Sequence, residues 1–438
     1  MSSRLIVLVG PSRSRNAAFT YLGNCTVRVL SALALIVTTP RVLGALGEKN
    51  FGIWAAVMSI TTNIGFLDFG LGNSLVSRLV PLISNSETDS AKRTIGSASW
   101  VLTVIGATSV PFVILGLGNW TKGALDQAQS GAYGGLVIAG TCLGMGLALS
   151  AIPRVQLALQ EGYITTIFQA FGVVIGTCFI LLASSTRLAI AGFIAASLSG
   201  PCLGSIANWW YCLYRQCPTL RPALGSFDRK EARLLLSSGV LYAILALCQQ
   251  AAFYWDPAFV LRLLGSQAAA QTAIISRFYQ FSFVLTLATA PLWAAVSDAV
   301  AHRDYAWVSR VVRRLVLTSG LFTGLLSCFL IAVGPLIAER WLSGRVHLSR
   351  AAIAAAGLTA TVQAIAGALS IVLYLPIALK RNVVYSVLAT TAAVAAKTMF
   401  GKALGLPGIL LSSGATFGAI YLPFAVFTVR CVVRREMR

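Results

Sequence analysis

A chain of 438 residues that is 57% hydrophobic and only 11% charged, with a mean hydropathy of +0.79, is excluded from the water-soluble domains, whose surfaces need roughly a quarter of their residues charged. The formal net charge of +21 would suit nucleic acid if it were gathered on one surface. Instead, Lys and Arg stand in short groups between long apolar runs, as cytoplasmic loops in contact with anionic lipid headgroups do. The chain reads as an integral membrane protein with no nucleic-acid partner.

Residues 1–19 carry Arg4, Arg13 and Arg15 around Leu5 to Val9, an apolar stretch too short for a secretory signal. They are expected to form a cytoplasmic tail. Apolar runs long enough for a membrane helix of about 20 residues follow at 21–44, 51–80, 96–118, 133–157, 163–184 and 188–214. They make a first half over 20–214. The polar stretch 215–233, with Pro218, Pro222, Asp228, Arg229, Lys230 and Glu231, is expected as a cytoplasmic linker. The second half, 234–430, has runs at 234–261, 268–297, 315–338, 351–376, 383–400 and 406–429, and 431–438 forms a basic cytoplasmic tail. The expected fold is therefore an all-α polytopic membrane protein with about 12 transmembrane helices, in two six-helix halves around a central cavity.

An even number of crossings puts both termini on one side. Under this count most of the 34 basic residues fall on that side, which makes it cytoplasmic. Leu46-Gly47 after the first run reappears as Leu264-Gly265 after the seventh, a trace of internal repetition. The stretch Ala299 to Arg314, amphipathic and basic, is expected to lie in the cytoplasmic interface as a helix of its own.

The most informative stretch is Thr38 to Arg78. Pro40, Gly44 and Gly47 end one apolar run, Glu48, Lys49 and Asn50 make a wet turn, and a second run opens at Phe51. Leu46-Gly47, then Phe51-Gly52 and Trp54, then Leu67 to Gly72 (LDFGLG) resemble the first helical pair of the Wzx-type polysaccharide and O-antigen flippases. These are bacterial relatives of the multidrug and cation antiporters and of the peptidoglycan-precursor flippase. Ser276-Arg277-Phe278, Pro291-Leu292-Trp293, Asp304 and Trp307 are similar to the corresponding part of the second half. Pro257 directly after Asp256 departs from that pattern. The resemblance covers about 20–100 and 234–320. It implies translocation of an undecaprenyl-diphosphate-linked oligosaccharide across the bacterial inner membrane for exopolysaccharide, capsule or O-antigen synthesis. Anionic lipids and polysaccharide polymerase machinery would be further partners.

Tyr21, Asn24, Arg28 and Ser31 follow at spacings of three and four, which places them on one helix face. An arginine a third of the way into a membrane run costs at least ~2.5–3.5 kcal/mol and should face inward. Arg28 and Arg277, with Asn24, Gln249, Gln250 and Gln280, are the candidate substrate-binding residues, because guanidinium donors match diphosphate oxygens. Pairing with an acidic residue, or reaching to the headgroups, are the plainer alternatives for either arginine. Tyr242, Gln249 and Asp256 recur at intervals of seven, a stripe that suits sugar hydroxyls or helix-to-helix contact equally. Asp256 and Asp68 are the carboxylates available for a proton or cation. Asp68, beside Gly70 and Gly72, reads first as a helix-end or hinge residue.

The nine cysteines show no CxxC spacing, and the two histidines stand outside the apolar runs. No metal or cofactor is expected. The Gly140–Gly144 and Gly414–Gly418 pairs signal close helix packing. No P-loop occurs. Two rivals to the flippase remain: a multidrug or cation antiporter, resting on its carboxylates, and a membrane glycosyltransferase or polymerase, which would need a large outer loop with catalytic groups.

Overall fold

The computed structural model describes residues 12–61, 70–85, 87–117, 132–186, 188–221, 227–280, 296, 299–300 and 304–434. Among the described residues every regular element is a helix. The first elements are α1 (Ser12–Thr61), α2 (Leu71–Ser84), α3 (Thr88–Pro111), α4 (Ala132–Leu149), α5 (Ala151–Ala158), α6 (Gly162–Ser185) and α7 (Ile190–Tyr211). Then come α8 (Arg229–Gln249), a π-helical turn (Gln250–Tyr254), α9 (Asp256–Leu264) and α10 (Ser266–Tyr279). The last are α11 (Tyr305–Trp341), α12 (Arg350–Leu373), α13 (Pro376–Thr416), a further π turn (Phe417–Tyr421) and α14 (Leu422–Arg434).

Eight of the described helical stretches are long and apolar enough to cross a membrane, or nine when Arg229–Ser237 and Gly239–Tyr254, bent by 47°, are taken as one span. Two of the eight, Ala18–Thr61 and Ile377–Val432, each run from one predicted run into the next, at Gly47 and Gly405; only the start of the run predicted over 51–80 lies in the first, and its far end is in α2. The chain is a multi-span, all-α membrane protein.

One turn recurs three times. Leu46-Gly47, Leu264-Gly265 and Leu404-Gly405 each end one helix and start the next, with glycine φ of 72°, 89° and 65° and an extended ψ of 166°, −178° and −143°. This corner of backbone space is open almost only to glycine. An added Cβ at any of the three would meet nothing within 4 Å, so the backbone angle alone demands glycine here.

The chain divides into two compact units, Met1–Gly47 with Thr61–Ala243, and Glu48–Ile60 with Ile244–Arg438. Helices α1 and α8 therefore each contribute to both. In the first unit Leu71, Leu75 and Leu79 of α2, at helical spacing, pack with Ile95, Ala98 and Leu102 of α3 and Ile152 and Val155 of α5. Gly106 and Gly144 let α3 and α4 touch backbone to backbone: a Cβ on Gly106 would fall 2.3 Å from the Gly144 carbonyl oxygen. That is the close packing expected of the Gly140–Gly144 pair. Buried Gln156 donates to Asn208 Oδ1 at 2.7 Å and to Gln216 Oε1 at 3.0 Å, and Thr165 donates to Gln156, so amide bonds tie α5, α6 and α7 in an apolar setting. At one end of this unit Arg78 pairs with Glu231 at 2.9 Å. Nearby, the Asp228 N–H donates to Ser97 Oγ at 2.8 Å. The end of the central linker is thus fixed to α2 and α3, beside a cavity of about 420 Å³.

The second unit is built on Val308 and Val312 of α11, Leu369 and Val372 of α12, Ala389 and Ala393 of α13, and Phe417 and Tyr421 of the π turn that follows α13. The interfacial helix expected from Ala299 to Arg314 is not separate. From Tyr305 onward it is the start of α11, capped by Asp304, whose Oδ1 accepts from the Trp307 N–H at 3.0 Å. The cap makes Tyr305 a helix start, and the apolar residues that follow carry the same helix on without a break. Residues 301–303 lie outside the described residues.

Candidate functional site

Among the described residues, three places that combine charge with apolar helix bear on function. The first is α1. Tyr21, Asn24 and Arg28 are exposed, and Ser31 is half-buried, its hydroxyl donating to the Val27 carbonyl at 2.8 Å. Arg28 has no acidic partner among the described residues. Leu22, Val29 and Leu33 of the same helix are all more than half exposed.

The second place lies in the second unit and explains the FGxW motif. Phe51 and Trp54 are buried, with ring centroids 5.4 Å apart. Gly52 between them admits α10: a Cβ there would fall 1.8 Å from the Ser266 carbonyl oxygen. The guanidinium of Arg277 lies 5.2 Å from the Phe51 centroid and 5.5 Å from that of Trp54. Cation–π contact with two rings holds it. Arg277 stands in the last turn of α10, and most of the rest of the predicted run 268–297 lies outside the described residues. Gln280 caps the same helix end and is exposed.

The heptad stripe of Tyr242, Gln249 and Asp256 is interrupted. Pro257 has no N–H, so it returns no hydrogen bond to the turn before it. The backbone takes a π turn over Gln250–Tyr254, in which the Trp255 N–H reaches back to the Gln250 carbonyl at 3.0 Å. Asp256 then starts α9, rotated off the stripe. Gln249 is exposed, Asp256 is buried, and Gln250 is half-buried with its Oε1 accepting no hydrogen bond among the described residues.

Asp256 meets a residue that sequence reasoning passed over. Lys397 of α13 is fully buried, and its Nζ lies 2.6 Å from Asp256 Oδ1. The contact is off hydrogen-bond direction for that oxygen, so charge holds the pair. The same Nζ donates to the carbonyls of Ala252 at 2.7 Å and Ala251 at 3.1 Å and sits 4.9 Å from the Phe259 ring centroid. Ser413 also donates to the Ala252 carbonyl. These carbonyls are available because of the π turn: the donor five residues beyond Ala252 is Pro257, which has no hydrogen to give. A lone lysine within the run 383–400 was the signal, since an intramembrane charge needs a partner. Asp68 lies outside the described residues.

No protein-family model and no curated protein matches the chain. Solved structures do. An inward-facing multidrug-resistance MATE family transporter of the MOP superfamily matches with a TM-score of 0.71 at 13% identity, over 93% of this chain and 95% of its own. The lipid II flippase MurJ in an inward closed conformation matches with 0.67 at 15%, over 94% and 87%. A mutant of the Vibrio cholerae MATE transporter VcmN matches with 0.59 at 17%, over 98% of both chains. The chain has the fold that these structures share.

Proposed function

We propose that the protein is a flippase that moves an undecaprenyl-diphosphate-linked oligosaccharide from the cytoplasmic to the outer leaflet of a bacterial inner membrane, by alternating access, for surface polysaccharide synthesis. The observation that carries this reading is Arg28. It is a permanent cation on an apolar helix, exposed and without an acidic partner among the described residues. Guanidinium offers planar paired donors to phosphate oxygens, and Asn24 one turn away adds donors for the same group. The fold shared with a lipid II flippase supports the choice of a lipid-linked cargo. The chain's work in this reading is to bind and move, with no bond made or broken.

The MATE transporters of like fold keep a second reading in view, a multidrug or cation antiporter. That chemistry would lean on membrane carboxylates, and here Asp256 is already paired with Lys397.

Binding separates the two. A labelled polyprenyl-diphosphate sugar is titrated into detergent-purified wild type, Arg28→Ala and Arg28→Lys. The flippase reading expects binding that is lost roughly tenfold or more in Arg28→Ala, the value of a charge-assisted phosphate contact, and partly kept in Arg28→Lys. Equal binding by all three, with saturable binding of a cationic dye, would favour the antiporter.

A further inference from the structure

We infer that Lys397 serves as a built-in monovalent cation, filling an oxygen cage that would otherwise hold a free sodium or potassium ion, so that the wild-type protein needs no ion at this place. This inference is independent of the cargo.

Three oxygens lie around the Lys397 ammonium: it donates to the Ala252 carbonyl at 2.7 Å and the Ala251 carbonyl at 3.1 Å, and Asp256 Oδ1 stands 2.6 Å away as its counter-charge. One carboxylate and two backbone carbonyls, released by the π turn and by Pro257, form a set with a single negative charge and no donor of its own. Hard monovalent cations are bound by oxygens of this kind. The Ser413 hydroxyl, already on the Ala252 carbonyl, stands by as a further oxygen. The Asp256 contact is governed by charge and not by hydrogen-bond direction, as a contact to an ion would be. Lys397 reaches this place fully buried, from α13, while the cage is made by the π turn and α9. The lysine thereby does what an ion would do, joining two elements through their oxygens, but it cannot leave. Asp256 is then a fixed counter-charge and no longer the carboxylate that loads and releases a coupling ion.

The test removes the tethered cation and asks whether a free one replaces it. Wild type, Lys397→Ala and Lys397→Ala/Asp256→Asn are purified, and thermal unfolding is followed in sodium, potassium or N-methylglucamine chloride at equal ionic strength. Wild type is expected to unfold at the same temperature in all three. Lys397→Ala is expected to rise by roughly 3 °C or more in sodium or potassium over N-methylglucamine, and the double variant to lose that response. A wild type stabilised by sodium as strongly as the variant would overturn the inference, as would a folded Lys397→Ala indifferent to every cation. Recovery of the double variant in folded form when Lys397→Ala cannot be recovered would also overturn it, because cellular ions would then have failed to fill the cage.

Discussion

At the scale of single residues, two arginines that look alike in the sequence have different surroundings. Arg28 is exposed on α1, and Arg277 lies over Phe51 and Trp54. Arg28→Ala is therefore expected to leave the unfolding temperature within about 1 °C of wild type, while Arg277→Ala lowers it by removing a cation that two aromatic faces hold, at about 0.5–2 kcal/mol. Thermal unfolding of the two variants side by side checks this, and a large loss in Arg28→Ala would mean that the arginine is structural. Asp256 and Lys397 make a sharper case. Breaking a buried ion pair from one side strands a charge and costs about 3–5 kcal/mol, whereas replacing both members by neutral groups can be nearly free. In a buffer of N-methylglucamine, Asp256→Asn is expected to be much less stable than Asp256→Asn/Lys397→Met. The sequence showed each of these charges but not its partner. Lys397 and Asp256 are far apart in the chain, and nothing in the spacing of either says which helix lies opposite.

At the scale of elements, the helices were legible and their irregularities were only partly so. The run ends predicted at 133–157, 163–184, 188–214 and 351–376 agree with described helices to within a few residues, because unbroken hydropathy and polar turns are local signals. The Leu-Gly turn was visible twice and occurs three times. The third copy, Leu404-Gly405, follows the run ending at 400, where the single charge of Lys402 stands in place of the polar cluster Glu48-Lys49-Asn50 that marks the first turn. Since the glycine φ and not crowding sets these turns, Gly265→Ala should cost about 1–3 kcal/mol with no new clash. Gly52→Ala, by contrast, should force α1 and α10 apart at the Ser266 carbonyl. Equilibrium unfolding, with fluorescence of the Trp54 side chain as a local probe, separates the outcomes: lost stability with an unchanged Trp54 environment for Gly265→Ala, and a changed environment for Gly52→Ala. Pro257 was recognised as an oddity, but its consequence could not be read from the sequence. The missing N–H both breaks the stripe and frees the carbonyl that Lys397 takes. Pro257→Ala supplies that hydrogen, and should compete with Lys397 for the Ala252 carbonyl and lower stability although it removes a helix breaker.

At the scale of the whole molecule, composition alone placed the chain in a membrane, and the fold agrees with that of solved MATE and MurJ structures at 12–17% identity. Such a likeness exists without a readable sequence relationship because a polytopic bundle asks mainly for apolar runs of the right length. Charge asymmetry sets the orientation: a C-terminal fluorescent-protein fusion should fold and fluoresce on the cytoplasmic side, and a dark fusion with intact expression would reverse the topology.

The central claim is that Arg28 holds a lipid-linked diphosphate while the protein carries it across the bilayer. It is tested most directly by transbilayer movement of a labelled polyprenyl-diphosphate sugar in vesicles containing wild type or folded Arg28→Ala. Protein-dependent movement in wild type, reduced roughly tenfold or more by the substitution, is the predicted result. Movement that is equal in both, or absent from both while a cationic dye is expelled, would contradict it.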